Sequence, residues 1–295
     1  MPPRFDLQSH STHSDGALPP REVVQAAAAA GMELLALTHH YTVSGVSEAL
    51  AAGAPAGVRV VPAVEMSAVD HGPDADRELH ILGYAIDHED PTLRARLAEF
   101  LADRERRTLR MGRALRELGL ELDEGELSAR RAAGRPIGRP HLAAAVLRSP
   151  ANAARLRDER IGDIGELIRA YLAEGRPAYR LRETPTVEHA VAAIHEAGGV
   201  AVWAHPFWEL SRPVDVLASI DRFRTLGIDG VETFYITHDA QQTRLLAERC
   251  AALGLLTTGS ADFHGADNPQ FHRFLAFCTH GFEPNLGPIA LGRER

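Results

Sequence analysis

The chain has 295 residues, 45% hydrophobic and 24% charged, with a formal net charge of -8, which suits one large globular domain or a core domain carrying an insertion and argues against disorder. The negative balance excludes a general attraction to extended duplex nucleic acid or to a membrane surface, so any nucleotide contact has to come from local arginines. Lysine does not occur, which removes lysine Schiff-base and P-loop chemistry. Cys250 and Cys278 show no paired-cysteine zinc spacing, no apolar run reaches the roughly 18 residues of a membrane span, and Met1 to Asp6 lacks a signal-peptide pattern, so a cytoplasmic location is expected.

In chain order, a short apolar run at Phe5 to Leu7 is followed by a helical pattern from about Pro19 to Ala30. Prolines at the first turn and Gly31 after the alanine run mark its ends. A run at Leu34 to Leu37, a second helix near Ser44 to Ala52 and a run at Val58 to Val64 continue the rhythm of βα units around a parallel sheet. Irregular alternation from Leu79 to Ile86 reads as a further strand. From about Pro91 to Arg182 the texture becomes arginine-rich and helical, with Leu93, Leu97, Phe100 and Leu101, then Met111, Leu115 and Leu118, at helical spacing. The βα rhythm returns with a helix at Val187 to Ala197, a strand at Val200 to Trp203, a helix ending near Leu226, a strand at Gly230 to Phe234, a long helix to Leu253 and a strand at Leu255 to Thr258. Two like-built segments flanking a helical block belong most simply to one barrel, at 1–90 and 183–295, with a helical insertion at 91–182.

Polar residues recur just after the predicted strands, where barrel enzymes place their sites. They fall in Asp6-Leu7-Gln8-Ser9-His10 with Ser14-Asp15-Gly16, in Thr38-His39-His40-Tyr41, at Glu65, at His80, in Ala204-His205-Pro206 and in Asp262-Phe263-His264-Gly265. Residues two apart in an extended chain share a side, so Gln8 with His10, and Asp262 with His264, can each aim two groups at one place. A lone histidine is more often structural, but six segments that each bring His, Asp or Glu point to a metal site. Imidazole with carboxylate suits Mn, Zn or Fe rather than a calcium site. Two or three such ions could hold phosphate oxygens and generate hydroxide at neutral pH, which is the equipment of a hydrolase.

At these residues, and at Gly138-Arg139-Pro140-His141, the chain resembles the polymerase and histidinol phosphatase (PHP) family, in its bacterial branch of nucleoside 3′,5′-bisphosphate phosphatases and 5′-end RNA exonucleases. The resemblance implies an α/β fold, a distorted (β/α)7 TIM-like barrel with a helical insertion subdomain. It implies metal ligation by His10, Asp15, His40, Glu65, His80, His205, Asp262 and His264, catalytic roles for Glu65, His205 and Asp262, and substrate binding by Arg104, Arg107, Arg139 and His141. Three positions depart from it: Gln8 stands where the family has histidine, and His39 and Tyr41 stand where it has aspartates. An amide oxygen is a feeble ligand beside imidazole, so two ions are expected to bind firmly and a third weakly, among Mn, Zn, Fe or Mg.

The function expected is hydrolysis of a phosphate monoester of a nucleotide, either a nucleoside 3′,5′-bisphosphate or an oligonucleotide 5′ end, by metal-bound hydroxide. The partner is then a small phosphate ester. Arginine's planar guanidinium gives two parallel hydrogen bonds to a phosphate; the competing reading of each arginine is a solvated charge on a helix face. Histidinol-phosphate phosphatase is the alternative within the same chemistry. A degenerate nucleotide- or metal-binding protein without turnover is the alternative outside it, motivated by Gln8, His39 and Tyr41. Tyr179, Trp203, Phe207 and Trp208 could stack a base, although such aromatics more often pack.

Overall fold

The computed structural model describes residues 4–72, 76–132 and 137–291; Met1–Pro3, part of the N-terminal segment read above, lie outside the described residues. Two compact units divide the chain, Met1–Ala98 with Thr184–Arg295, and Glu99–Glu183. The first contains seven strands, β1 (Phe5–Asp6), β2 (Leu34–Leu37), β3 (Arg59–His71), β4 (Asp76–Tyr84), β5 (Val200–Trp203), β6 (Gly230–Tyr235) and β7 (Leu256–Ser260), hydrogen-bonded in chain order. The ring is nearly closed where Leu7 N donates to Gly259 O at 3.1 Å and Ser9 bridges Phe263 in parallel. The helices in chain order are α1 (Pro20–Ala29), α2 (Val46–Ala56), α3 (Pro91–Glu117), α4 (Glu124–Ala132), α5 (Arg139–Arg148), α6 (Ala153–Asp158), α7 (Ile164–Leu167), α8 (Val187–Glu196), α9 (Pro206–Glu209), α10 (Pro213–Thr225), α11 (Ala240–Leu253) and α12 (Pro288–Leu291). This is a distorted, TIM-like (β/α)7 barrel.

Strand periodicity explains its two cores. Phe5 and Leu7, Leu34 and Ala36, Val61 and Ala63, Leu82 and Tyr84, and Val202 and Ala204 form one buried cluster with Leu286 and Ile289. Their intervals of two put them on one face of each strand, the barrel interior. The alternate residues Leu35, Leu37 and Val60 pack outside against Val23, Val24 and Ala27 of α1 and Ala49 and Ala52 of α2. Buried on both faces, these strands read as apolar runs rather than as alternation.

One expectation needs correction. The sheet is not wholly parallel, because β4 runs antiparallel to both β3 and β5. Only residues 72–75 separate β3 from β4, too short a connection for a parallel crossover. The consequence reaches the site. In the parallel strands the polar residues follow the apolar ones, whereas His80 precedes Leu82 and Tyr84 and still faces the same end of the barrel.

The second unit is helical, with no strand among its described residues. Met111 and Leu115 of α3, Leu127 of α4, Leu142 and Val146 of α5 and Leu167 of α7 form its core.

Candidate metal centre

Glu65 continues the inward series of Val61 and Ala63 on β3 and is almost wholly buried, 1% exposed. Four imidazoles face its carboxylate. His80 Nδ1 lies 2.6 Å from Oε1 and His205 Nε2 lies 3.8 Å from it, while His10 Nε2 and His40 Nδ1 lie 3.2 and 3.6 Å from Oε2. His10 Nε2 is also 3.2 Å from Asp262 Oδ1. Asp15 sits on the open side, with Oδ1 3.3 Å from His10 Nδ1 and 3.7 Å from His264 Nε2, and Oδ2 3.4 Å from His40 Nε2. The rings of His10 and His264 stack at 4.3 Å between centroids. All eight side chains expected to ligate are thus gathered at one end of the barrel.

The local backbone is arranged to bring them there. Gly16 returns the loop after β1 onto itself, where a Cβ would lie 2.2 Å from His10 O. His205 (φ 28°) and Asp262 (φ 54°) hold positive φ without being glycine, strain that persists only where the surroundings impose it. Asp262 and His264 therefore converge through a left-handed turn, with His264 Nδ1 2.6 Å from Asp262 O, rather than through the extended segment expected.

Whether these residues fit divalent ions can be judged from their polar atoms. His10 Nε2, His40 Nδ1, Glu65 Oε2, His80 Nδ1, His205 Nδ1 and Asp262 Oδ1 are buried and make no hydrogen bond, although most lie within ion-pair distance of each other. Buried polar groups ordinarily find partners, and close donor atoms lacking hydrogen-bond geometry are what a shared cation requires. Three groups place one donor atom per residue within 4.8 Å of each other: His10, Asp15 and His264; His10, His40 and Glu65; and Glu65, His80 and His205. Nitrogen and carboxylate donors suit divalent transition ions. The set fits.

The electrostatics agree. Burial alone would raise the carboxyl pKa values, yet the histidines beside Glu65, Asp15 and Asp262 outweigh it and hold all three below the ordinary range. Burial also opposes charge on His10 and His205, but the nearby carboxylates of Asp15, Asp262 and Glu65 for the first, and of Glu209 and Glu65 for the second, raise both. Burial and the neighbouring His10 lower His264.

The three departures occupy other contacts. Gln8 is buried and its Oε1 accepts from Ser260 Oγ at 3.3 Å. His39 Nε2 is 2.7 Å from Ser11 Oγ, and burial with the fields of His10 and His13 pushes its pKa down to about 3. The Tyr41 hydroxyl donates to Ser67 O at 2.8 Å, a packing role. Trp203 is fully buried against Phe223.

In the second unit, His141 Nδ1 accepts from Gly138 N at 3.0 Å at the start of α5. A Cβ on Gly138 would come 3.5 Å from Arg104 Nη2, so Arg104 lies beside the Gly138–His141 turn. Arg107 is buried; its Nε donates to Arg180 O at 2.6 Å and its guanidinium lies over Tyr179.

Sequence reasoning missed a buried layer beneath the ligands. Glu232 on β6 accepts from His205 N at 2.8 Å and from Ser260 Oγ at 2.6 Å, and burial raises its pKa to about 8. Asp6, raised to about 7 by burial, accepts from Ala261 N and Leu275 N. The Tyr235 hydroxyl donates to Asp262 Oδ2 at 3.0 Å, and Glu209 Oε1 lies 3.2 Å from His205 Nδ1. The available signal was an acid inside the apolar strand Val231-Glu232-Thr233-Phe234.

Comparison with known proteins decides the family. A family model described as the PHP domain matches residues 6–109. A 3′,5′-nucleoside bisphosphate phosphatase of Chromobacterium violaceum is 34% identical over 264 residues, 88% of this chain and 87% of that protein. The chain belongs to the PHP family. A 5′-3′ exoribonuclease of Haemophilus influenzae is 30% identical over 264 residues, 90% of this chain and 91% of that protein. A solved structure of an amidohydrolase from Chromobacterium violaceum, with sulfate bound and no metal, has 31% identity and a TM-score of 0.69, covering 92% of this chain and 90% of that one. This PHP protein is a phosphoric ester hydrolase, and its His, Asp and Glu groups fit divalent metal binding. Among the described residues no helix is long and apolar enough to cross a membrane.

Proposed function

We propose that this PHP protein hydrolyses a phosphate monoester of a nucleotide, a nucleoside 3′,5′-bisphosphate or an oligonucleotide 5′ end. The observation that carries the reading is Glu65 with four imidazoles around its carboxylate; relatives that act on a nucleoside bisphosphate and on RNA support the substrate class. His10, Asp15, His40, Glu65, His80, His205, Asp262 and His264 hold the ions. Bound divalent ions supply Lewis acidity, lowering the pKa of water and neutralising phosphoryl oxygens.

The chain's own residues set the geometry. Glu65 ties two of the three donor groups together. Asp262 offers Oδ1 to the site while Tyr235 holds Oδ2, and His205 turns Nε2 toward Glu65 while Nδ1 faces Glu209. A carboxylate behind a ligating imidazole fixes its orientation and raises its basicity. Two ions bind firmly and the third weakly, since Gln8 replaces an imidazole and is engaged by Ser260. Arg104, Arg107, Arg139 and His141 bind the second phosphate.

Elemental analysis paired with phosphate release from adenosine 3′,5′-bisphosphate under Mn, Mg, Zn and Fe tests this reading, with histidinol phosphate as the competing substrate. Preference for histidinol phosphate overturns the substrate; no metal after metal-supplemented purification overturns the site; three full equivalents overturn the count. Arg139→Ala should raise KM for the bisphosphate much more than for p-nitrophenyl phosphate, and equal losses would make Arg139 structural.

A further inference from the structure

Few large apolar side chains are exposed among the described residues, and one of them adjoins the metal centre. Trp208, on α9, is 51% exposed. Its backbone N–H donates to His205 O at 2.8 Å, so the sequence His205-Pro206-Phe207-Trp208 fixes the indole within one turn of a ligand. The indole lies 6.4 Å from the His205 ring, 6.4 Å from Tyr235 and 5.8 Å from Phe271, at interplanar angles of 68°, 85° and 52°. Among the described residues, no neighbouring ring lies flat on it. Phe271 in turn is 5.4 Å from His264, and its carbonyl accepts from His264 N at 2.8 Å. An aromatic rim therefore runs between His205 and His264, and each of its members is held by a contact to the site itself.

We propose that Trp208 is the stacking platform for the base of the substrate, with Phe271 beside it, so that this rim selects nucleotides over phosphate esters that lack a base. The inference rests on the nucleotide reading above and names the group that recognises the base. A half-exposed indole next to a phosphoryl-transfer site is costly to leave in water and is gainfully covered by a flat ring. Stacking tolerates any base because every base has a π face, and no base-edge hydrogen bonds are needed.

The test compares adenosine 3′,5′-bisphosphate with ribose 5-phosphate, which carries a phosphate and a sugar but no base. Trp208→Ala should lower kcat/KM for the nucleotide through KM by roughly 5- to 150-fold, the range for loss of one base stack, and the nucleotide to ribose phosphate preference should fall with it; Trp208→Phe should recover most of it. Binding is read separately by fluorescence. Trp203 is buried and Trp208 is exposed, so adenosine 5′-phosphate should quench the wild type, ribose 5-phosphate should not, and Trp208→Phe, which keeps Trp203, should lose the response. Equal losses on both substrates, or quenching that persists in Trp208→Phe, overturn the platform. If the quench is present but neither compound is hydrolysed, the platform stands and the proposed reaction fails.

Discussion

Replacing Glu65 by glutamine keeps the size of the side chain and removes the charge that four imidazoles share. Two effects follow. For metal, Glu65 belongs to two of the three donor groups; loss of an outer partner of a metal ligand already costs about 10- to 100-fold in affinity, so loss of the shared carboxylate should cost at least about 100-fold and release one equivalent or more. For the metal-free protein, the side chain is 1% exposed, and breaking a buried charge pair typically costs ~3–5 kcal/mol. At roughly 2–4 °C per kcal/mol for a chain of this size class, Tm should fall by about 6–20 °C. The pH dependence has a definite sign. Glu65 has a lowered folded pKa, so its contribution is present above the ordinary carboxylate range and is lost as pH falls through the lowered value. His10 and His205 have raised folded pKa values, so theirs is present below the ordinary histidine pKa of about 6.5 and is lost as pH rises through the raised values. The difference in Tm between wild type and Glu65→Gln should therefore be largest near pH 5–6 and shrink on the alkaline side. Calorimetry of chelator-treated protein, with elemental analysis of the loaded form, measures both. Glu65→Gln protein that retains every metal equivalent and the same metal-free Tm would refute the reasoning.

Two further outcomes follow from contacts elsewhere in the barrel. Asp70 on β3 is buried, and both its oxygens accept from the Arg222 guanidinium of α10; Arg222→Ala strands that carboxylate and should cost ~3 kcal/mol, the low end for a buried pair because the arginine is a third exposed. Denaturant unfolding gives the loss, while metal content should stay unchanged; a loss of metal would place Asp70 in the centre rather than in the scaffold. His39 has a folded pKa of about 3, so its contribution to stability is present above about 6.5 and declines as pH falls toward 3, at ~1.4 kcal/mol per unit. His39→Gln should flatten the stability of chelator-treated protein between pH 6.5 and 4.5 by about 2–3 kcal/mol, and parallel curves for variant and wild type would show that His39 does not titrate in this way.

Much of this was legible because barrel sheets tie sequence period to location. Val61, Ala63 and Glu65 share one face, so an acid two residues beyond a buried apolar pair had to point into the barrel mouth. His80 shows the limit of that rule. Its position ahead of Leu82 and Tyr84 becomes a ligand position only because β4 is reversed, and reversal is set by the short connection to β3 rather than by any residue of β4 itself. Glu232 was illegible for a different reason. A carboxyl in an apolar strand has no local partner, and what satisfies it, the His205 N–H just after β5 and the Ser260 hydroxyl at the end of β7, lies 27 and 28 residues away.

Gln8 joins the two cases. From sequence it is a missing imidazole; in the fold its amide oxygen meets Ser260 Oγ, which also meets Glu232, whose raised pKa of about 8 favours a neutral carboxyl at neutral pH. The amide thus extends a hydrogen-bonded layer that ends at the His205 backbone, and through it at a ligand held in a strained conformation. An imidazole at position 8 drawn toward an ion would leave Ser260 with Glu232 alone and put a cation nearer two buried acids, Asp6 and Glu232. Gln8 therefore belongs to the support of His205 as much as to the thinning of the metal set. Losing one ligand and gaining a neutral buried layer are one adjustment, because a neutral Glu232 needs no cation beside it and the buried amide of Gln8 needs the hydrogen bond that Ser260 gives it.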